Sequence, residues 1–489
     1  MVVRFLNSIY FPPVQCAAFG AAFGFYLFSK THITVAAAFV FIFLAAFSFL
    51  RVLSSLNEES RKFKLLSGCS AAVAAGLVLG ICAAAAGQNN VRFGIPENKI
   101  TAVEAVLLED PRIVSSGSAM VSVSLRKCAD ERMRISSSGE ITIFFPQENA
   151  EKLKQFGRGT VVFAEGSMRS GDRGYSFSAK SLHIVKPASS LERKRTGIRL
   201  NLINRFNAEP WGGLALALLL GVRDNLDSSF TAMYRSAGLS YILALSGMHL
   251  AILTALISFL LKRPLGLKVS AITGAVIIIL YCFLVGPMPS LNRSALMYVL
   301  GVLAIIGALP KNAMSVLSLS FLIQIIITPA AGNSLSFILS YLALIGILLT
   351  GKAISYILGG KVPDFLLQPL SLSCGAFLAT AGVCSFVFGT IAPIGIIAGL
   401  LIVPLTTVFM IGSIVWLVLN LLSLSALLNY PLYLLYRMME TTASVAGNVP
   451  GIGANPYLIL IISLVLSLFI IALEYKRRSD LLKPEPFPW

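Results

Sequence analysis

The feature that most constrains this chain is a succession of long apolar runs, separated by short loops that carry much of its positive charge. Hydrophobic residues make up 56% of the sequence and charged residues only 12%. A soluble domain carries roughly 25% charged residues. Apolar runs of this length are typical of helices that cross a bilayer. The sequence therefore predicts a polytopic α-helical membrane protein.

Loop charges predict the direction of each span. Three spans are predicted at residues 12–28, 33–50 and 65–86, and the basic loop between the last two lies in the cytoplasm by the positive-inside rule. Nine further spans are predicted within residues 239–475. The basic tail, residues 476–489, is again predicted to be cytoplasmic. The total is about twelve spans with both termini inside.

The composition changes abruptly between the third span and the fourth. In residues 87–205, five short segments alternate apolar and polar residues with period two, and turn signals such as SSSG and SGDRG separate them. This spacing predicts a small β-barrel, for which an OB-fold is one candidate. Because the third span leaves the cytoplasm, this domain is predicted to be extracytoplasmic.

Residues 206–238 are predicted to lead the chain back into the membrane. The apolar core of this segment, residues 211–222, is too short to cross about 30 Å of hydrocarbon as a helix. The following stretch is amphipathic, with Asp227 and Ser228 as candidate caps. We therefore predict an interfacial amphipathic or re-entrant segment between the β-rich domain and the bundle. The predicted domains are thus residues 1–86, 87–205, 206–238, 239–475 and 476–489.

Basic and aromatic residues follow one another near the end of the β-rich domain. OB-folds hold single-stranded nucleic acid with a basic groove and exposed aromatics. The candidate DNA-binding surface comprises Arg169, Arg173, Tyr175, Phe177 and Lys180. The alternative is that the two aromatics fill the barrel core. The run from Glu192 to Arg195 is either a solvated linker or a contact to anionic headgroups or a phosphate backbone.

The stretch of residues 234–261 is apolar enough to enter a bilayer, yet polar residues interrupt it. A histidine at membrane depth, here His249, is costly unless it faces a partner or a water-filled path. Ser246 lies three positions earlier, so a continuous helix would place both on one face. Ser246 and Gly247 either allow close helix packing or line a conduit together with His249.

Arg293 begins a later span, after a break rich in proline. A boundary arginine either snorkels to the headgroups or, here, faces the extracytoplasmic mouth and contacts a phosphate. Ser336, Ser340 and Tyr341 would add hydroxyl groups to the same vestibule if their helix faces inward. We expect a conduit through the bundle, the translocation path, to be lined by Ser246, Gly247, His249, Arg293 and Ser336.

Three segments in order resemble motifs of the ComEC family, the membrane channels that pass transforming DNA into bacteria. The matching residues are Arg235, Gly238, Leu239, Leu243, Ala244, Ser246, Gly247 and His249; then Arg293, Ala295 and Met297; then Leu335, Ser336, Phe337 and residues 342–346. The resemblance implies an inner-membrane channel that translocates single-stranded DNA into the cytoplasm during natural transformation. It also favours an OB-like extracytoplasmic domain.

The resemblance further implies partners outside this chain. They are an extracytoplasmic DNA receptor, a separate nuclease and a cytoplasmic ATP-driven motor, whereas the pore itself is built by one copy or by a homodimer. Many ComEC proteins carry a metallo-β-lactamase-like nuclease domain, but its histidine- and aspartate-rich motif does not occur in this sequence. No GxxxxGK[ST] motif occurs either. We therefore expect translocation without catalysis, cofactor or metal.

Two other functions remain open from the residues alone. The first is a transporter or channel for a small anionic or polar solute, with the β-rich domain as a docking module. The second is a membrane scaffold without a conduit. Seven scattered cysteines without a CxxC pair and three distant histidines argue against a metal site in any of these cases.

Overall fold

The computed structural model describes residues 13–28, 59–87, 91–114, 117–130, 133–171, 174–307 and 312–481. The second predicted span, residues 33–50, and Arg173 lie outside the described residues. Six described helices are long and apolar enough to cross a membrane, and three shorter apolar helices accompany them. The chain is thus a multi-pass helical membrane protein, while the predicted number of twelve spans is not confirmed.

Two N-terminal helices form a closely packed pair. They are α1 (Pro13–Phe28) and α2 (Glu59–Ala86). A Cβ on Gly20 would lie 2.1 Å from the carbonyl oxygen of Val73, and a Cβ on Gly80 would lie 2.1 Å from that of Ala21. The two backbones can approach this closely only because glycines repeat every four residues, as in small-xxx-small pairs of membrane helices.

The β-rich region folds into a closed five-stranded barrel with three accessory strands. The elements are β1 (Ala102–Leu107), β2 (Arg112–Ile113), β3 (Ala119–Ala129), β4 (Arg134–Ser136), β5 (Glu140–Phe145), α3 (Gln147–Lys154), β6 (Val161–Gly171), β7 (Gly174–Ala179) and β8 (His183–Lys186). The ring runs β1–β3–β5–β7–β6 and closes through pairing of β6 with β1. Among the strands that the structure describes, only β5 and β7 pair in parallel. Period-two burial, as in β3, fills the interior with side chains.

Four helices lead from the barrel into the bundle. They are α4 (Ser190–Asn207), α5 (Gly212–Leu220), α6 (Ser228–Ser236) and α7 (Ser240–Leu243). Helix α5 is about 13 Å long, and nearly all its residues are buried. Helix α5 thus lies in the interior of the bundle, while its predicted interfacial or re-entrant character stays a prediction. Asp227 caps α6 as predicted, because its side chain accepts a hydrogen bond from the Ser229 amide.

Helix α8 extends over 39 residues, Gly247–Val285, but it turns back at Gly266, where φ is 73°. In a straight helix Ile257 and Gly274 would lie about 25 Å apart. Instead, a Cβ on Gly274 would lie 3.7 Å from Cγ2 of Ile257. Each half has about 19 residues and is about 28 Å long, enough to cross the hydrocarbon layer. This helical hairpin agrees with the two spans predicted around the basic loop at residues 262–268.

The remaining helices complete the bundle. They are α9 (Pro289–Ile306), α10 (Ala313–Ile327), α11 (Leu335–Gly346), α12 (Lys352–Leu358), α13 (Asp364–Phe388), α14 (Ile394–Leu421), α15 (Ala426–Gly447) and α16 (Pro456–Leu481). A short π-helical turn, Ile347–Gly351, joins α11 to α12. One apolar core lies around α5, α8 and α14, and a second lies between the N-terminal pair and α10 and α11.

Candidate functional site

The chain is not helical at Ser246, although the sequence predicts residues 239–261 as one continuous transmembrane helix. Helix α7 ends at Leu243 and α8 begins at Gly247, while Ser246 between them is extended, with φ −135° and ψ −179°. Ser246 and His249 form a reciprocal cap, in which the His249 Nδ1 atom accepts the Ser246 backbone N–H at 3.1 Å. The prediction of one continuous helix was therefore wrong, because this cap starts a new helix.

His249 is buried, with 1% of its surface exposed. Since Nδ1 accepts from a backbone amide, a neutral ring carries its proton on Nε2. Nε2 has no hydrogen-bond partner within the described residues. The histidine thus has a structural role at the helix start and also offers a buried donor, so the two alternatives drawn from the sequence are not exclusive.

Arg293 approaches the start of α8 at Gly247. A Cβ on Gly247 would lie 3.0 Å from Arg293 Nη2 and 2.8 Å from Ser294 Oγ. Arg293 donates to Ser294 Oγ at 3.2 Å, and its guanidinium lies 5.7 Å from the ring centre of Tyr341. Only 6% of the arginine is exposed. We call Gly247, Arg293, Ser294 and Tyr341 the Gly247–Arg293 site.

Further hydrogen bonds of α9, α10 and α11 support this site. The Tyr341 hydroxyl donates to Gln324 Oε1 at 3.0 Å, and Gln324 Nε2 donates to the carbonyl oxygen of Pro289 at 3.0 Å. Ser290 Oγ donates to the carbonyl oxygen of Leu245 at 2.8 Å. These hydrogen bonds tie the breaks before α8 and α9 to α10 and α11. A lone glutamine in an apolar run was the signal that could have identified Gln324.

The electrostatics of the site favour an anion. The N-terminus of α8 carries a partial positive charge from its free amide groups. Arg293 adds a full positive charge beside it, and its Nε finds no hydrogen-bond partner in the part of the chain that the structure describes. Among the described residues no carboxylate pairs with this guanidinium, although it is almost completely buried. Helix N-termini combined with a cation are suited to phosphate-like groups.

Ser336 does not join the site in this conformation. It lies on an exposed face in the first turn of α11. The side chain of α11 that lies beside Arg293 is Tyr341, one of the vestibule residues expected from the sequence, and it faces the guanidinium with its ring. The structure therefore brings Ser246, Gly247, His249 and Arg293 together and leaves Ser336 outside.

Only some of the predicted DNA-binding residues lie on the surface of the barrel. Phe177 is completely buried in the barrel core, so its assignment to an exposed surface was wrong. Tyr175 is partly exposed and packs edge-on against Phe93, with 4.9 Å between the ring centres. Arg169 on β6 and Lys180 directly after β7 are exposed. Period-two alternation could not assign Phe177 to the inner or outer face.

Tyr175 and Phe93 border a groove of about 730 Å³ that the sequence did not predict. Phe93 belongs to the segment before β1, which forms most of the wall and also contributes Glu97 and Asn98. A hydrogen bond to the Glu97 carboxylate raises the pKa of the Tyr175 hydroxyl, and the negative charge of that carboxylate adds to the effect. The groove combines aromatic faces with polar groups that can meet the edge of a planar ligand.

The run from Glu192 to Arg195 is not a solvated linker at Arg195. This side chain is 1% exposed and donates to Asp110 of the barrel and to the carbonyl oxygen of Phe283 in α8. The guanidinium of Arg195 makes its hydrogen bonds inside the protein, so it contacts neither solvent nor headgroups. No pattern in the sequence indicates these contacts, because both partners are remote along the chain.

Comparison with known proteins relates these segments to a family. A family model described as Competence protein matches residues 218–478. ComE operon protein 3 from Bacillus subtilis (strain 168) is 28% identical over 179 residues, which cover 34% of this chain and 23% of that protein. An uncharacterized protein from Aquifex aeolicus (strain VF5) is 29% identical over 265 residues, 51% of this chain and 60% of that protein. No solved structure matches.

The chain therefore covers less than two thirds of the length of either relative. The family match, in contrast, spans more than half of this chain and contains the whole Gly247–Arg293 site. The barrel precedes the matched region. Because the match includes α8, α9 and α11 with their polar contacts, the resemblance noted from the sequence is confirmed, and the chain belongs to the competence protein family of ComEC-type proteins.

Proposed function

We propose that this chain is a channel of the inner membrane that translocates single-stranded DNA into the cytoplasm during natural transformation. The observation that carries the proposal is a buried arginine at a helix N-terminus, inside the region that defines the family. A translocated phosphodiester backbone is an anion of the kind such a site favours. The surrounding hydroxyl and amide groups would provide the weak contacts that passage requires.

The barrel would receive DNA outside the membrane and have an OB-like fold. Two features support this assignment: a closed ring of five strands, and helix α3 between β5 and β6, the third and fourth of these strands along the chain. The groove beside Tyr175 and Phe93, together with exposed Arg169, supports base stacking combined with phosphate contacts. Phe177 has no part in this surface.

The same proposal assigns the orientation and the partners. Both termini would lie in the cytoplasm, with residues 87–205 outside, because the basic loops then share one side of the membrane. A DNA receptor, a nuclease and an ATP-driven motor would be separate proteins, and the chain itself would carry out no catalysis. The pore would consist of one copy or of a homodimer.

Replacement of Arg293 tests the proposal. We expect Arg293→Gln to reduce transformation frequency at least tenfold in a transformable host that depends on this chain. Arg293→Lys should retain part of the activity, because it keeps the charge but loses the planar fork. The matched control is Arg437→Gln, which removes an exposed arginine paired with Glu440 within its own helix. Membrane abundance is measured for every variant by immunoblot.

Parental transformation frequency in Arg293→Gln at normal abundance would refute the role of this site in DNA uptake. An equal loss in Arg437→Gln would show that the effect reflects charge in general. Either result would remove the observation on which the proposal stands.

A second candidate is a transporter for a small anionic solute. It is favoured by one observation, the enclosure of the Gly247–Arg293 site, since the arginine is almost completely buried. Flux of radiolabelled inorganic phosphate into proteoliposomes distinguishes the two. Flux that depends on Arg293, with normal transformation in Arg293→Gln cells, would establish the solute transporter in place of the DNA channel.

A further inference from the structure

Arg195 connects the barrel to the membrane bundle. From helix α4 its Nη1 and Nη2 atoms donate to the two carboxylate oxygens of Asp110, at 3.0 and 2.5 Å. Asp110 lies in the loop after β1 of the barrel. Glu192 accepts a further hydrogen bond from Nη1 at 3.2 Å. On this side the arginine is held by two carboxylates.

The opposite side of the same guanidinium caps the end of the α8 hairpin. Arg195 Nε donates to the carbonyl oxygen of Phe283 at 2.7 Å and, less directly, to that of Leu284 at 3.2 Å. Arg199, one turn further along α4, donates to the carbonyl oxygen of Val285 at 2.9 Å. These are the last carbonyl groups of a helix, which have no partner within the helix itself.

The geometry requires an arginine at this position. Its five donors are spread over a rigid plane, so one side chain serves a bidentate carboxylate and two carbonyl groups at once. The positive charge also lies at the negative end of the α8 dipole. A lysine would keep the charge but could not bridge both sides with fixed geometry. We call Asp110, Arg195, Arg199 and the end of α8 the Arg195 joint.

The Arg195 joint lies directly before the break that leads to Arg293. Gly286 follows α8 with φ 103°, and a Cβ there would lie 3.1 Å from Arg195 Nη2. Helix α9 then begins at Pro289, where Ser290 bonds to the Leu245 carbonyl before the chain reaches Arg293. Fixing the end of α8 therefore fixes the start of α9 and with it the guanidinium of Arg293.

We propose that Asp110 and Arg195 are positioning residues for the Gly247–Arg293 site, through which the barrel sets the placement of Arg293. This inference rests on the proposed function only for the use of that site. The Arg195 joint couples residues outside the matched region to residues inside it. Asp110 and Arg195 both precede the matched residues, whereas the end of α8 lies within them. It makes the position of the barrel a determinant of the membrane site.

Hydrogen–deuterium exchange of the full chain in nanodiscs tests the proposal without DNA. The variants are Asp110→Asn and Arg195→Lys. The matched control is Glu109→Gln, since Glu109 neighbours Asp110 and pairs with Arg112 on the exposed surface of the barrel. We expect backbone amides of residues 283–293 to exchange at least fivefold faster in both variants, with strands β3 and β5 as protected as in the parent protein.

Transformation frequency is the second measurement. Asp110→Asn and Arg195→Lys should lower it at least fivefold at normal membrane abundance, while Glu109→Gln leaves it at the parental level. A purely structural joint would lower abundance or barrel protection together with transformation, whereas a positioning role changes only the exchange of residues 283–293 and transformation.

Unchanged exchange at residues 283–293 in both variants would overturn the proposal, as would the same increase in Glu109→Gln. Faster exchange with parental transformation would also overturn it, provided that Arg293→Gln still abolishes transformation. If Arg293→Gln itself has no effect, the proposed function fails, and the exchange result alone then decides whether the Arg195 joint holds the start of α9.

Discussion

Replacement of Gly346 by alanine should separate helices α11 and α13. A Cβ on Gly346 would lie 2.2 Å from the backbone carbonyl oxygen of Gly375 and 2.6 Å from Cβ of Ala379. Ordinary van der Waals contact begins near 3.4 Å, so α13 must withdraw by about 1.2 Å. The obstructing atoms belong to backbone and to a short side chain, so no rotamer change can relieve the contact.

The expected cost follows from this geometry. Overpacking a well-packed interface costs about 1–3 kcal/mol. Because the obstructing atoms belong to rigid backbone, we expect a cost toward the upper end of this range. Alanine recovers about 0.5–1 kcal/mol through its better helix propensity. We therefore expect Gly346→Ala to lower the free energy of unfolding by about 2 kcal/mol, which is roughly a 30-fold change in the unfolding equilibrium.

Gly301→Ala is the matched control. Gly301 lies within helix α9, and a Cβ there would meet no atom of the described residues within 4 Å. It should therefore gain about 0.5–1 kcal/mol from helix propensity alone. Unfolding of the purified chain by SDS titration in mixed micelles, followed by circular dichroism, gives the two free energies. The reasoning predicts a difference of about 2.5–3 kcal/mol between the variants.

Equal stability of Gly346→Ala and Gly301→Ala would refute the reasoning, because it would mean that α11 and α13 are not in backbone contact at Gly346. A destabilised Gly301→Ala would contradict it as well, since that site has space and helical geometry. Gly346 precedes a π-helical turn, a feature that often accompanies functional positions. Transformation should therefore fall along with stability in Gly346→Ala.

Two further predictions concern polar groups. Tyr341→Phe keeps the ring beside Arg293 but loses the hydrogen bond to Gln324, so we expect a loss of about 1 kcal/mol, measured by the same SDS titration. Burial alone would raise the pKa of Asp110, but the hydrogen bond from Arg195 and the charges of Arg199 and Arg195 lower it below its usual 3.8. The stability that Asp110 contributes is thus fully present above about pH 4 and is lost as pH falls through its lowered pKa. The thermal midpoint of the parent protein should fall more steeply below about pH 4 than that of Asp110→Asn, as measured by differential scanning calorimetry.

Local patterns in the sequence predicted some parts of the site but not the contacts between them. Ser246, Gly247, His249 and Arg293 were identified because polar residues stand out in apolar runs. Among their partners, Tyr341 was predicted for the same vestibule, but Gln324 was not, since it carries no spacing relation to Arg293 along the chain. Phe177 was assigned to the surface because alternation shows that two faces exist without showing which one is inside.

Composition and periodicity alone determined that this chain is a multi-pass membrane protein with an inserted β-rich domain. These properties depend only on residues that are close in the sequence. Whether a segment crosses a bilayer or alternates as a strand is decided by the residues of that segment alone. Tertiary structure alone decided the closure of the barrel, the turn at Gly266 and the burial of Arg195. Each depends on contacts between groups that are distant along the chain. The local structural preference of a residue gives no information about which distant partner it contacts. The guanidinium of Arg195 links the barrel to the bundle only because folding brings Asp110 and the end of α8 to either side of it.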